Sequence, residues 1–162
     1  MLPAPDPKDV SSKTPSRDYG VGDTIGGRFE VEEVLGSGGF SKVYRVRDVV
    51  EGEERALKLF DNAAGYDAVR REISALRKVH HPNVVKVIWA DRTDQGEWYL
   101  IMEYVDGMTL RQLMLSGRRL LPERALEITN GTLAALDYSH RHGIVHRDIK
   151  PANVMLTRGG DV

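Results

Sequence analysis

The residues best suited to chemistry lie together near the end of the chain, at His146-Arg147-Asp148-Ile149-Lys150-Pro151-Ala152-Asn153. A carboxylate, an ammonium and a carboxamide stand within this short run. Transfer of a phosphoryl group needs such a set: an acceptor for a hydroxyl proton, a cation near the migrating phosphate, and an oxygen ligand for magnesium. The structural alternative is a charged turn after a helix, which would have no reason to keep this order and spacing.

Upstream, Gly36-Ser37-Gly38-Gly39-Phe40-Ser41-Lys42-Val43 separates two runs that read as strands. Glycines there let a backbone approach phosphates and aim N–H groups at them; a flexible hairpin is the other reading. Lys58 stands inside the apolar run Ala56-Leu57-Lys58-Leu59-Phe60, where an unpaired ammonium is costly to bury. Either Lys58 reaches water from an edge strand, or it is held over phosphates. Glu72 falls on the helical stripe of Val69, Ile73 and Leu76, and no cation stands three or four residues from it. It is a solvated glutamate at the edge of the stripe or the partner of Lys58. Two charges in apolar settings account for each other better than either does alone. His80, His81, His140 and His142 have no carboxylate or cysteine cluster beside them and read as polar residues at helix C-terminal ends.

These groups need a scaffold. Residues 1–25, punctuated by Pro3, Pro5, Pro7 and Pro15, read as a disordered tail or linker. Strands are expected over Phe29 to Leu35, Val43 to Asp48, Glu53 to Phe60, Val84 to Ala90 and Trp98 to Glu103, with Trp89 and Trp98 in the core. A helix is expected from about Tyr66 to Val79, ended by His81-Pro82-Asn83. After a connection at Gly107, a short helix covers Thr109 to Leu115, and a long one runs from Pro122 to about Arg141 with Leu126, Leu133 and Leu136 on one side. Met155-Leu156-Thr157 reads as a strand, Arg158 to Asp161 as a turn, and Val162 as the first residue of a returning strand. Five strands with one inserted helix, then helices, make an α+β fold: an antiparallel sheet lobe followed by a helical lobe.

The 162 residues are 41% hydrophobic and 29% charged, a globular composition. A net charge of -1 offers no bulk reason to expect nucleic acid or an anionic membrane as partner. The absence of cysteine excludes disulfides and thiolate metal sites within the chain. No apolar run approaches the length that spans a bilayer, and the N-terminus lacks a signal-peptide core. A cytoplasmic location is the resulting expectation.

Four motifs thus stand in order: glycine loop, strand lysine, helix glutamate, and a loop matching H-R-D-x-x-x-x-N. From about Phe29 to Val162 the chain resembles the N-lobe and early C-lobe of a protein kinase. Lys150-Pro151 resembles the serine/threonine branch. Val34 to Ser41 and Lys150 to Met155 are similar to the bacterial Hanks-type (eukaryotic-like) kinases. Ser41 stands where the third glycine of G-x-G-x-x-G would be.

The resemblance implies a two-lobe protein-kinase-like fold, incomplete in this chain, with residues 26–103 as N-lobe, 104–107 as hinge and 108–162 as partial C-lobe. It implies ATP and Mg2+ as cofactors. Leu35, Gly36, Ser37, Gly38, Gly39, Phe40, Ser41 and Val43 would cover the nucleotide, with Ala56 beside the adenine. Lys58 would hold the α- and β-phosphates and pair with Glu72. Met102 aligns with the gatekeeper, Glu103 and Val105 with the hinge, and Met155 with the pocket floor. Asp148 would accept the hydroxyl proton, Lys150 neutralise the γ-phosphate, and Asn153 bind magnesium. His146 would pack the loop, and Arg147 would meet a phosphate on an activation segment.

No Asp-Phe-Gly precedes Val162. The remainder of the kinase domain is therefore expected beyond Val162, and the 162 residues alone are expected to be inactive. The implied function is transfer of the γ-phosphoryl group of ATP to a Ser/Thr hydroxyl of a protein substrate. One alternative is a catalytically inactive nucleotide-binding or regulatory module derived from a kinase. Another is a small-molecule kinase of the same fold.

Overall fold

A computed structural model of the protein describes residues 18–61, 66–77 and 79–162; residues 1–17 and the side chains of residues 66–68, 72 and 75 lie outside that description. The alternating runs pair as one antiparallel sheet. It contains β1 (Thr24–Ile25), β2 (Phe29–Ser37), β3 (Ser41–Asp48), β4 (Glu54–Phe60), β5 (Val87–Arg92) and β6 (Trp98–Glu103) in the order β1-β2-β3-β4-β6-β5. The helix α1 (Tyr66–Leu76) is inserted between β4 and β5. Because side chains alternate across a strand, β4 serves two cores. Leu57 and Leu59 join Val31, Tyr44, Val46, Tyr99 and Ile101 on one face. Phe60 joins Leu100 on the other, where Val69 and Ile73 of α1 cover them. The i, i+4 spacing of Val69 and Ile73 therefore makes the contact the sequence predicts.

The packed unit begins before the boundary read from the sequence. Tyr19 and Ile25 are both buried in the first core. Tyr19 packs edge-on against Tyr44, with ring centroids 6.4 Å apart, and its hydroxyl donates to the buried Glu97 at 3.4 Å. The hairpin from β1 to β2 turns at Gly26 and Gly27, with φ of 58° and 67°. At Gly26 a Cβ would lie 2.6 Å from the Tyr99 hydroxyl, so only glycine closes this turn against the core. Prolines upstream hid a two-residue strand too short to show a period.

A part-buried ion pair locks this turn to the next. Arg28 grips Asp48 in a two-pronged contact, Nε to Oδ1 at 2.8 Å and the second amine to Oδ2 at 2.6 Å. The backbone N–H groups of Val50 and Glu51 also donate to Asp48. The Arg28 hydrogen bond, aided by those N–H groups and the Arg28 charge, lowers the Asp48 carboxyl to about 2 against the cost of its burial. An unfolded aspartate titrates near 4, so the shift contributes about 2 kcal/mol of stability. The sign follows: the contribution is complete above about pH 4 and is lost as pH falls through about 2. Asp48→Asn should therefore cost about 2 kcal/mol at pH 7, with the gap to the native chain closing towards pH 2. Urea unfolding of both chains at several pH values checks this; an unchanging gap would refute it.

Beyond β6, β7 (Gly107–Thr109) pairs with β8 (Met155–Thr157) in a second, two-stranded sheet. Gly107, read from the sequence as a connection, is thus part of a strand. Between them lie α2 (Leu110–Leu115) and α3 (Pro122–Arg141). Thr109 caps α2 by accepting from the Gln112 N–H at 3.1 Å, and the Gln112 side chain accepts from the Thr109 N–H at 2.7 Å.

The leucine row of α3 is uncovered, and one expectation about packing, that of Trp89, is corrected. On α3 the row of Leu126 and Leu133 is 63% and 56% exposed and Leu136 half-buried, whereas Ile128 is 4% exposed. The packed side follows small residues rather than leucines: a Cβ at Gly131 would sit 3.1 Å from Val162 Cβ and 3.2 Å from Asn83 Nδ2. Trp89 is 51% exposed. It lies on β5, an edge strand whose register shifts between Val87 and Trp89, and such a bulge turns side chains outward. Trp98, by contrast, packs against the α1 core. Val162 forms no strand among the described residues; its carbonyl accepts from Asn83 Nδ2 at 2.7 Å.

Candidate functional site

The loop between α3 and β8 carries the densest polar chemistry. Arg147 has φ 62°, the only non-glycine residue with positive φ among the described residues. A left-handed arginine costs about 1–3 kcal/mol and persists only where its surroundings enforce it. The reversal sets Asp148 among its partners. Its N–H donates to His146 Nδ1 at 3.3 Å. Its Oδ2 meets Lys150 Nζ at 2.8 Å. Asn153 Nδ2 donates to the Asp148 carbonyl at 2.8 Å and to Oδ2 at 3.1 Å. The hydrogen bond from Lys150 leads in holding the Asp148 carboxyl below its ordinary value, with Asn153 and the charges of Lys150 and His146 adding to it. Asp148 and Lys150 are both exposed, so this pairing orients rather than stabilises.

The loop is anchored at its far end. Pro151–Asn153 form a single 3-10 turn, with the Asn153 N–H on the Lys150 carbonyl at 2.8 Å. Leu110 at the start of α2 then donates to the Val154 carbonyl at 2.8 Å. Half-buried Met155 pairs with Thr109 across the β7–β8 ribbon.

The second group of candidates lies on one face of the large sheet. Val43 is opposite Lys58, Lys58 opposite Leu100, and Ala56 opposite Met102. Directly opposed residues share a face, so Val43, Ala56, Lys58 and Met102 form one patch. Lys58 is half-buried there, with Nζ 4.9 Å from the centroid of the Phe60 ring. Its strand is interior to the sheet, which removes the edge-strand reading. Val69 and Ile73 of α1 pack on this face, and Glu72 stands between them in the helix. The Glu72 side chain lies outside the described residues, so its pairing with Lys58 stays an expectation.

The glycine loop joins β2 to β3. Gly36 opposes Val43 and Ser37 opposes Lys42, while Leu35 occupies a register shift between Val34 and Gly36. The Gly38 N–H donates to the Ser41 carbonyl at 2.8 Å, and the Asp61 N–H ties the Phe40 carbonyl at 2.9 Å. Phe40 itself is exposed. A Cβ at Gly36 or Gly39 would meet nothing within 4 Å, and neither residue has positive φ. The chain's own packing therefore gives no reason for glycine at these places.

Residues 104–106 link β6 to β7 and so join the two groups. Glu103 is tied to the lead-in of β5, its N–H on the Lys86 carbonyl at 3.0 Å and its Oε1 accepting from the Lys86 N–H at 2.7 Å. Val105 is half-buried. Two contacts here escaped the sequence reading. Arg45 stacks over Tyr104 at 5.7 Å, and Arg158 pairs with Asp106 at 2.9 Å. Both join residues distant in sequence, with no local pattern to mark them. Among the described residues there is no group of three or more His, Cys, Asp or Glu side chains that could hold a metal.

An antiparallel sheet with an inserted helix and an interior lysine, hinged to a helical segment that bears this loop, is the architecture of a protein kinase. The chain belongs to the protein kinase domain family, which matches it over residues 29–162. It is 49% identical over 151 residues to a "Probable serine/threonine-protein kinase" of Streptomyces coelicolor, covering 85% of this chain and 22% of that protein. It is 35% identical to serine/threonine-protein kinase PrkC of Bacillus subtilis, covering 88% of this chain and 22% of PrkC. The chain thus spans about a fifth of the length of these relatives. Among solved structures, the PknI kinase domain of Mycobacterium tuberculosis matches with a TM-score of 0.72 and 33% identity, over 88% of this chain and 59% of that one. A structure of Rad53 in complex with AMP-PNP matches with a TM-score of 0.73 and 30% identity, over 81% of this chain and 35% of that one. The fold is therefore the α+β kinase fold, of which this chain carries the N-terminal part. No helix among the described residues is long and apolar enough to cross a membrane.

Proposed function

We propose that this chain is the nucleotide-binding and catalytic-loop portion of a serine/threonine protein kinase that uses ATP and magnesium. The arrangement of Asp148 with Lys150 and Asn153 carries the reading. Bound ATP with magnesium supplies the transferable γ-phosphoryl group and part of the charge that neutralises it. The bare backbone at Gly36 and Gly39 suits a ligand that needs N–H groups and close approach. Asn153 spends its N–H2 end on Asp148, which leaves its amide oxygen as the group that would hold a hard cation. Lys58 presents its ammonium on the Val43–Ala56–Met102 face, where α- and β-phosphates would be held. Asp148, kept ionised, takes the proton of the acceptor hydroxyl and aims its oxygen. Lys150 offers its ammonium to the transferred group. The Rad53 match, solved with AMP-PNP, supports an adenine nucleotide as ligand. The names of the curated relatives support a protein Ser/Thr acceptor.

The pH dependence of the kinase containing this segment tests the role of Asp148. A carboxyl held below its ordinary value keeps the general base ionised down to acidic pH. Lys150→Met removes the leading cause, so the acid limb of kcat/KM should move to higher pH while overall activity drops. A limb that stays in place would remove Asp148 from the role of base. Within the 162 residues only Asn153 is assigned to magnesium, so this chain alone should transfer phosphate poorly or not at all. Magnesium-dependent turnover by the purified chain would overturn that expectation. Nucleotide binding without turnover, once the sequence beyond Val162 is included, would favour the regulatory module instead.

A further inference from the structure

Two irregularities interrupt the pairing of β2 with β3, one between Val31 and Glu33 and one between Val34 and Gly36. Each adds a residue to β2, which bends the strand and disrupts its ladder just before the glycine loop. Leu35, aligned with the cover of the nucleotide, is the extra residue of the second. The first has a different consequence. Neighbouring strand residues ordinarily point to opposite faces, yet Glu32 and Glu33 both reach Arg45. Glu32 Oε2 lies 3.3 Å from Arg45 Nε, and Glu33 Oε2 lies 3.3 Å from one of its terminal nitrogens. Glu32 also accepts from Arg47 Nε at 2.9 Å.

Arg45 stands on the same face of the sheet as Lys58. Glu33 is opposite Arg45, Arg45 opposite Ala56, and Ala56 opposite Met102, so one row crosses β2, β3, β4 and β6. The next row holds Gly36, Val43, Lys58 and Leu100. From its row the half-buried Arg45 extends to Tyr104, its guanidinium carbon 5.7 Å from the centre of the ring. A side-chain hydrogen bond with Tyr104 leads in raising the Arg45 guanidinium above its ordinary value against the cost of burial, with the charges of Glu33 and Glu32 adding to it. Tyr104 belongs to the 104–106 link between the large sheet and β7. Arginine suits this place, because its planar fork can meet two carboxylates while its face lies on an aromatic ring; a lysine ammonium is a single point charge. Every contact in this tie is made within the chain.

We propose that Arg45 is a positioning residue for the nucleotide: it ties the bulged strand β2 to Tyr104 and so fixes the height of Leu35 and the glycine loop above the link that would receive the adenine. The inference rests on the reading of Leu35 to Val43, with Glu103 and Val105, as the nucleotide site. Arg45 touches no reacting atom. Without it β2 is free to bend at Glu32 and Glu33, and the nucleotide is held less firmly, while Asp148, Lys150 and Asn153 keep their own bonds.

Steady-state kinetics of the kinase that contains this segment, with thermal unfolding beside them, test the tie. Arg45→Leu removes one cation–π contact and two ion pairs, so KM for ATP should rise about tenfold. The value of kcat and the KM for the protein acceptor should stay within about twofold, because the lost interaction serves nucleotide binding alone. Arg45→Lys should recover only part of the loss. Tyr104→Leu should raise KM for ATP about fivefold. The double variant Arg45→Leu with Tyr104→Leu should be little worse than Arg45→Leu, since both remove one contact. Arg47→Leu takes a cation from Glu32 without touching Tyr104 and should leave KM for ATP in place. An unchanged KM for ATP in Arg45→Leu, in a kinase whose parent is active, would overturn the tie alone. So would additive effects of the two leucine variants, or a kcat that falls in step with the melting temperature, the mark of a merely structural arginine. A parent that binds no ATP would overturn the nucleotide reading and the tie with it.

Discussion

Asp148→Asn in the kinase that contains this segment is expected to lower kcat/KM by at least about a hundredfold, the contribution of a positioned general base being about 10² to 10⁴; Lys58→Met, which removes a cation proposed to hold the phosphates, is expected to cost about as much. The melting temperature should scarcely change. Asp148 is exposed, and its side-chain partners are the Lys150 ammonium and the Asn153 amide. An asparagine at this place can turn its amide oxygen towards both donors, so the loop keeps its bonds and loses only the basic oxygen. Methionine matches the length of Lys58 and is compatible with the apolar strand between Leu57 and Leu59. Phosphate transfer to a protein acceptor, measured beside thermal unfolding, separates the effects. Full activity in either variant would sink the site assignment. Lost activity with a collapsed melting temperature would show a structural role instead.

The second large effect is expected far from any reacting atom. At Gly107 an added Cβ would lie 2.0 Å from the Leu156 carbonyl oxygen and 2.8 Å from its carbon. Both are backbone atoms, so no side-chain rotation relieves the clash. Gly107→Ala must spread the β7–β8 ribbon, in which Gly107 pairs with Thr157, Met108 with Leu156 and Thr109 with Met155. Overpacking of this kind costs about 1–3 kcal/mol and sometimes more. The ribbon directly follows Asn153 and bears the Leu110 bond to Val154, so activity should fall with stability. Gly36→Ala is the contrast, since a Cβ there meets nothing within 4 Å and should leave the unfolding midpoint in place. Urea unfolding of both variants provides the check. Equal midpoints would mean that the ribbon relaxes freely.

Much of this was legible beforehand because the relevant signals are local. The run Glu53 to Phe60 was legible as a strand, though not as an interior one, and the i, i+4 spacing of Val69 and Ile73 identified the face of α1. Pro122 marked the start of α3 at the residue where it begins. The errors share a cause. Leu126, Leu133 and Leu136 marked one side of α3, but which side packs within this chain depends on the close approach at Gly131. Trp89 looked buried by residue type, and its exposure follows from a bulge on an edge strand. Tyr19 looked like tail, and its burial depends on Tyr44 and Glu97, both distant in sequence.

The sequence by itself determined the family, the order of the longer elements and the identity of the candidate reacting groups. Those properties rest on residue types at short spacings, which backbone geometry translates directly into a strand, a helix or a loop. Only the tertiary structure decided where the packed unit begins, which face of α3 is covered, and that a left-handed Arg147 brings Asp148, Lys150 and Asn153 into one hydrogen-bonded group. It alone placed Val43, Ala56, Lys58 and Met102 on a common face. These outcomes depend on strand register, bulges and close backbone approach. Most are set by contacts between segments far apart in the chain; the Asp148 group is local, but its geometry depends on a backbone reversal that residue types do not reveal.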